Sequence, residues 1–445
     1  MNINNCKEII LKLYLISSFF FIILSLGSNL AYIEHIDFSE SFFKIKNINN
    51  VRGLLPFIIF SVNIFIIFQK KIEIKKYEYL LIGLILSYFF GIINNKIENI
   101  NLFRIHFIIA PIALVTTLVI SREFKEFTIK IIFYYLLIFF LIVITIFFYS
   151  QNRIGYGGGS ISFFNEQIIF INSNGISRIT CLLNFIILSH LIHKINYFNL
   201  KTIFIVTIYI FLSSTIILSE GRVNITIMLF TTLLIFLNQK INYLRKLILF
   251  LFIVISSIIV SITISNLTVN KETKFFTMKK EKRFENIKTS ETFRNNVDIF
   301  FQNDVTAENF GRFQKWKDLL KYSYNSTTKT IFFGKGPEID REILTNLGYK
   351  WNADSANSFI YSFLCGGLVG FIFYLAIVLL LINNLRFFFK NKQYLFETSS
   401  ANIFFSIFPI MLLLRSFFEN SIASWSLDFI IFATCLHYLY LRKTD

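Results

Sequence analysis

The chain has 445 residues, of which 55% are hydrophobic and only 16% charged, and phenylalanine alone numbers 57. That is too little polar surface to cover a soluble globule, so the composition is that of a polytopic membrane protein. A formal net charge of +17 would point to nucleic acid in a soluble chain. Here it restates an excess of lysine and arginine on one side of a membrane, and no nucleic-acid partner is expected.

About 20 apolar residues are needed to cross the hydrocarbon core as a helix, the form that satisfies its own backbone there. About twelve segments qualify, near 9–31, 53–69, 77–93, 102–120, 129–149, 168–191, 202–218, 223–239, 245–267, 355–383, 401–418 and 425–441. The seventh and eighth are separated only by Ser219, Glu220, Gly221 and Arg222, yet length requires two spans. The first has Lys7 before it and Lys12 at its start, is too long for a cleaved signal, and reads as a retained anchor.

Placing both termini in the cytoplasm puts nineteen lysines and arginines in the cytoplasmic ends and loops, against six in the short loops opposite. The polar stretch after the ninth span is then external, where its own charges do not count because long segments translocate regardless. The expected organisation is spans one to nine over 1–267, a large external loop over 268–354, and spans ten to twelve over 355–445. Cys6, Cys181, Cys365 and Cys435 lie in or beside spans and imply no disulfide framework. No repeat divides the chain into matching halves, which argues against a repeat-built transporter.

Within the external segment, Phe313, Trp316, Leu319 and Leu320 recur at helical spacing across Phe310 to Tyr324, predicting a short amphipathic helix on the outer leaflet. Phe332 to Pro337 reads as a turn, punctuated by Gly334, Gly336 and Pro337. At the segment's end, Asp354 or Ser355 is placed to cap the tenth span, with Asn357 in its first turn. Gly366, Gly367 and Gly370 read as close helix packing.

Arginine outside runs against the charge bias and needs a reason. Arg52 and Arg104 fall at outer span ends, Arg178 inside the sixth span, Arg222 in the tight turn, Arg312 at the start of the external helix, and Arg415 near the outer end of the eleventh span. A planar five-donor guanidinium suits phosphate or pyrophosphate. The plainer alternatives are a side chain snorkelling to the interface, or a partner for a nearby acid, such as Glu220 for Arg222 or Glu419 for Arg415. Gly334-Lys335-Gly336 lacks the phosphate-loop spacing, and Gly155 to Gly159 follows a span and reads as a flexible external loop. The histidines show no zinc pattern and there is no Asp-x-Asp pair, so no metal and no cofactor is expected.

In layout and short motifs the chain resembles the O-antigen polymerase and O-antigen ligase superfamily of bacterial envelope glycosyltransferases. The motifs are Ser219-Glu220-Gly221-Arg222 opening the eighth span, Gly311-Arg312 with Trp316, the Phe333-Gly334-Lys335-Gly336 turn, and Asn357-Ser358-Phe359 before Gly367-Leu368-Val369-Gly370. The resemblance implies an all-α, GT-C-like protein of a bacterial inner membrane. It would join undecaprenyl-pyrophosphate-linked oligosaccharides at the periplasmic face, without nucleotide or metal. Membrane lipids surround it, and a chain-length regulator is a conceivable partner.

By the same resemblance Arg222 and Arg312, joined by Arg178, would bind pyrophosphate, and Asp354 and Asn357 would be the catalytic pair near the acceptor. Ligases of this kind place a histidine immediately before the matching asparagine. This chain has Ala356 there, which favours polymerase over ligase and leaves Asp354 as the available carboxylate. A flippase for lipid-linked glycan is the reading from another class. It would need charges lining a central cavity, whereas this chain concentrates its charges outside.

Overall fold

The computed structural model describes residues 3–26, 33–35, 45–94, 102–149, 159–163, 166–171, 173–194, 200–218, 222–238, 243–269, 307–349, 355–391, 399–420 and 422–444. A helix stands at each predicted span: α1 (Ile3–Ser25), α2 (Ile45–Lys70), α3 (Lys76–Asn94), α4 (Leu102–Ile120), α5 (Lys125–Tyr149), α6 (Ser173–Lys194), α7 (Leu200–Leu218), α8 (Arg222–Asn238) and α9 (Tyr243–Val269). The polar segment after α9 contributes α10 (Ala307–Tyr324), α11 (Thr328–Phe333) and α12 (Ile339–Asn346), and three more helices follow: α13 (Ser358–Lys390), α14 (Ser400–Ser416) and α15 (Leu427–Thr444).

Among the described residues, five helical stretches are long and apolar enough to cross a membrane: Cys6–Ser25, Lys76–Asn94, Ile105–Ile138, Leu200–Ile217 and Ser358–Lys390. Leu54–Lys70, Ser177–Leu191, Leu247–Thr263 and Ser400–Ser416 are shorter apolar helices. The protein is therefore a helical membrane protein. Several buried polar side chains bond to one another inside it, where water is scarce. Asn63 of α2, for example, accepts from Tyr14 of α1 at 2.7 Å and donates to Thr116 and Thr117 of α4 at 3.0 and 2.9 Å.

Two connections differ from expectation. Between the fourth and fifth spans the chain is a 3-10 turn, Ser121–Phe124, running directly into α5. Arg122 in this turn binds the buried carboxylate of Glu78 and ties the turn to α3. The sixth helix starts at Ser173 rather than 168, because Glu166–Ile171 forms strand β3. That strand lies between β1 (Ile33–His35) and β2 (Gly159–Phe163) in an antiparallel sheet. An apolar run this short does not distinguish a strand from a helix start by periodicity. The sheet joins the first interspan connection to the fifth, both assigned to the external side, so the two lie at one end of the bundle.

At the opposite end, Tyr77 and Glu78 of α3, both fully buried, meet His437 of α15. The Tyr77 hydroxyl donates to Glu78 at 2.5 Å and stands 2.6 Å from His437 Nδ1. Glu78 also accepts the Lys75 amide at 2.6 Å, and Arg442 of α15 pairs with Glu126 of α5 at 3.0 Å.

The predicted amphipathic helix and turn are present as α10 and the residues after α11. Gly366 and Gly370 do pack against α3, where an added Cβ would fall 2.4 and 2.8 Å from Ser87 Oγ. Gly367 has a different role. At φ 63°, ψ −157° it interrupts α13, so the carbonyls of Leu364 and Cys365 lose the amides four residues on that a regular helix would supply. The turn after α11 replaces them: Lys335 donates its amide to Leu364 at 3.0 Å and Gly336 donates to Cys365 at 2.9 Å. Gly91 of α3 closes over this joint, its Cβ position 2.3 Å from the Cys365 oxygen, and Asn94 donates to the Gly334 carbonyl at 3.0 Å. The segment 307–349 is thus hydrogen-bonded into a break in a long apolar helix.

Candidate functional site

The C-terminal end of α14 leaves its last carbonyls without amides from within the helix, as every helix end does, and carries the negative end of the helix dipole. Just past this end, the carbonyls of the turn Phe417 to Glu419 are bound by side chains from the segments singled out in the sequence. Arg312 of α10 donates to the Phe418 carbonyl at 2.9 Å, Asn357 to Phe417 at 3.1 Å, and Ser358 to Glu419 at 2.8 Å. Arg312 and Asn357 are therefore brought together.

Asn420 joins this turn to the rest of the external segment. Its Oδ1 accepts the Asn357 amide at 2.9 Å and the Ser355 hydroxyl at 2.7 Å, while its Nδ2 donates to Asp340 at 3.2 Å. Trp316 of α10 donates to the Ser355 carbonyl at 2.7 Å. Tyr349 anchors the far side of α10 by donating to Asp318 at 2.6 Å. Burial and the Asp318 carboxylate hold this phenol above its usual range, so it remains a donor.

Ser355 does not cap α13. Asn357 does, accepting the amides of Phe359 and Ile360 at 2.9 and 3.1 Å from an extended backbone. One residue before, Ala356 holds φ 45°, and the Ser355 hydroxyl is engaged by Asn420 instead of the helix amides. Asp354 lies outside the described residues. Replacing Asn357 with alanine is expected to cost about 0.5–2 kcal/mol through the lost cap, read as a lower unfolding midpoint of the purified protein.

A second convergence sits one turn deeper. Asp428 of α15, fully buried, binds Arg178 of α6 at 3.1 Å and Arg415 of α14 at 3.3 Å through the same oxygen. The plainer alternative of a nearby acid holds for Arg415 in kind, but the acid is Asp428 of the neighbouring helix rather than Glu419. The Phe418 amide donates to the Arg415 carbonyl at 2.8 Å, so Arg312 and Arg415 meet the chain within one turn of each other.

Arg222 opens α8, but its side chain lies outside the described residues, as do those of Arg52 and Arg104. The turn it begins is placed by Asn224, which donates to Ser177, the neighbour of Arg178, at 3.1 Å. Arg178, Arg312, Arg415 and the start of α8 thus share one end of the bundle. A cluster of guanidiniums at a membrane edge can bind a polyanion and stabilise negative charge as it develops on a leaving group.

Reading the residues alone missed Asp428, Asp340 and Asn420. Asp428 left a signal, a lone carboxylate in an otherwise apolar span. Asp340 and Asn420 left none, being ordinary polar residues of polar stretches. No protein-family model, curated protein or solved structure matches this chain.

Proposed function

We propose that this chain is a GT-C-like membrane glycosyltransferase, a polymerase of lipid-linked repeat units acting at the periplasmic face of a bacterial inner membrane, with both termini in the cytoplasm. The observation that carries this reading is the meeting of Arg178 and Arg415 on Asp428, one turn from Arg312 and beside the first turn of α8. Arginines concentrated at one membrane edge suit a lipid pyrophosphate, whose two phosphates offer several acceptors to planar forks.

In the reaction proposed, the growing glycan on one undecaprenyl pyrophosphate is the donor and a second lipid-linked unit is the acceptor. Arg178, Arg222 and Arg312 hold the departing pyrophosphate, whose charge rises in the transition state. Asn357 fixes the turn on the acceptor side, and Asp354 stands three residues before it. Arg312 spends one of its five donors on the Phe418 carbonyl, which orients the fork and leaves four for a ligand.

The test is the surface-glycan ladder and the pool of lipid-linked glycan in a strain carrying Arg312→Ala, with membrane insertion checked in parallel. The expected outcome is a well-inserted protein, core bearing a single repeat unit, and no ladder. A normal ladder would remove Arg312 from the mechanism. Bare core with finished polymer stranded on undecaprenyl pyrophosphate would identify a ligase instead.

A further inference from the structure

Asp340 lies in the first turn of α12 and is fully buried. Both of its hydrogen bonds go to one oxygen: Oδ2 accepts the Ser355 amide at 2.8 Å and Asn420 Nδ2 at 3.2 Å. Oδ1 is buried with no hydrogen-bond partner, the one carboxylate oxygen in that state among the described residues. A carboxylate in the first turn of α12 is favoured by the helix dipole, but the two donors it serves need only one of its oxygens. A buried acceptor left without a donor costs about 1–3 kcal/mol, and more when charged. A buried group in that state calls for a partner or a function.

The bare oxygen is close to the site. Asp340 is one hydrogen bond from Asn420, whose Oδ1 holds the Asn357 amide in the same turn that Arg312 and Ser358 bind. Between the two amides fixed by Asp340 and Asn420 sits Ala356 at φ 45°, a conformation that costs a residue with a Cβ about 1–3 kcal/mol. The wall covering Asp340 therefore contains a strained link, held in place by the hydrogen bonds on either side of it.

We propose that Asp340 is the proton acceptor of the transfer, an inference that rests on the glycosyltransferase reading above. The acceptor hydroxyl oxygen bonds to the donor's anomeric carbon, and the bond from that carbon to the pyrophosphate oxygen breaks. Pyrophosphate leaves with the electron pair. The hydroxyl proton passes to Oδ1 of Asp340 and from there to solvent on product release. The acceptor hydroxyl is the donor that Oδ1 lacks, and it reaches Oδ1 as the turn at Ala356 opens.

The experiment uses the full chain in lipid nanodiscs, supplied with lipid-linked glycan extracted from a strain lacking this protein. Asp340→Asn keeps an oxygen for Ser355 and Asn420. It is expected to preserve the unfolding midpoint and KM while lowering kcat about 10²–10⁴-fold, the usual worth of a positioned base. Formate is expected to restore part of the rate to Asp340→Ala and none to Asp340→Asn. Wild-type kcat in Asp340→Asn overturns the proposal, as does a loss accompanied by raised KM or a lower midpoint and unrelieved by formate. A wild-type chain that makes no product from this glycan overturns the parent reading and the inference together, whereas wild-type turnover in Asp340→Asn overturns the inference alone.

Discussion

Asp428→Ala is expected to be the most damaging single change in the membrane body. Asp428 and Arg415 are 0% and 1% exposed, and Arg178 shares the same carboxylate oxygen. Removing one member of a buried ion group leaves charge without its counter-ion, at a typical cost of about 3–5 kcal/mol. The expected outcome is a large fall in the folded fraction on detergent extraction, measured by size-exclusion profile and unfolding midpoint.

A compensating variant separates stability from function. Buried ion groups replaced by apolar residues of similar volume are often neutral or stabilising. Arg178→Met, Arg415→Met and Asp428→Leu together are therefore expected to recover the midpoint while producing no polymer. Polymer from this triple variant would show that the cluster serves packing alone.

Gly367→Ala is expected to be nearly as damaging, for two reasons that add. At φ 63°, ψ −157° the backbone is in a region essentially reserved for glycine, at a cost of about 1–3 kcal/mol. The new Cβ would also lie 2.3 Å from the Phe332 carbonyl carbon and 2.5 Å from the Phe333 nitrogen, backbone atoms that cannot rotate away. Overpacking of this kind costs about 1–3 kcal/mol more. The variant should lose the junction between the external segment and α13, seen as faster proteolysis within 307–349 as well as a lower midpoint. Gly348→Ala is the control: its φ is +86° but no atom lies within 4 Å, so it bears the strain without the collision.

The helices were legible because membrane spans announce themselves: a run such as Phe371 to Ile382 can do little else in a bilayer. The external helix was legible for a similar reason, since Phe313, Trp316 and Leu319 repeat at helical spacing and Leu319 is indeed fully buried. The site was legible only in part. Arg178 and Arg312 drew notice as charges on the wrong side, and both reach the same end of the bundle.

What was lost depends on atoms distant in sequence or on one dihedral angle. Glu419, four residues from Arg415, was one candidate partner, but the carboxylate that reaches it is Asp428, across a turn and on another helix. The cap fell to Asn357, and Ala356 before it adopts a positive φ, which nothing in Asp-Ser-Ala-Asn announces. Gly367 looked like its neighbours Gly366 and Gly370 in a small-residue stripe. Only the presence of the 334–336 turn, some thirty positions earlier, distinguishes a break from a packing contact.

The Tyr77–His437 hydrogen bond has a consequence for how the chain is made. Its partners are 360 residues apart in sequence, and at about 5–20 residues per second a ribosome needs roughly 20–70 s to pass from one to the other. During that interval α3 and the 3-10 turn are already synthesised, with Glu78 and Arg122 able to find each other but the Tyr77 ring without its closing helix. A helix made hundreds of residues later thus seals the first half of the bundle. A nascent chain halted before α15 would present the quality-control machinery with an open seam beside Tyr77.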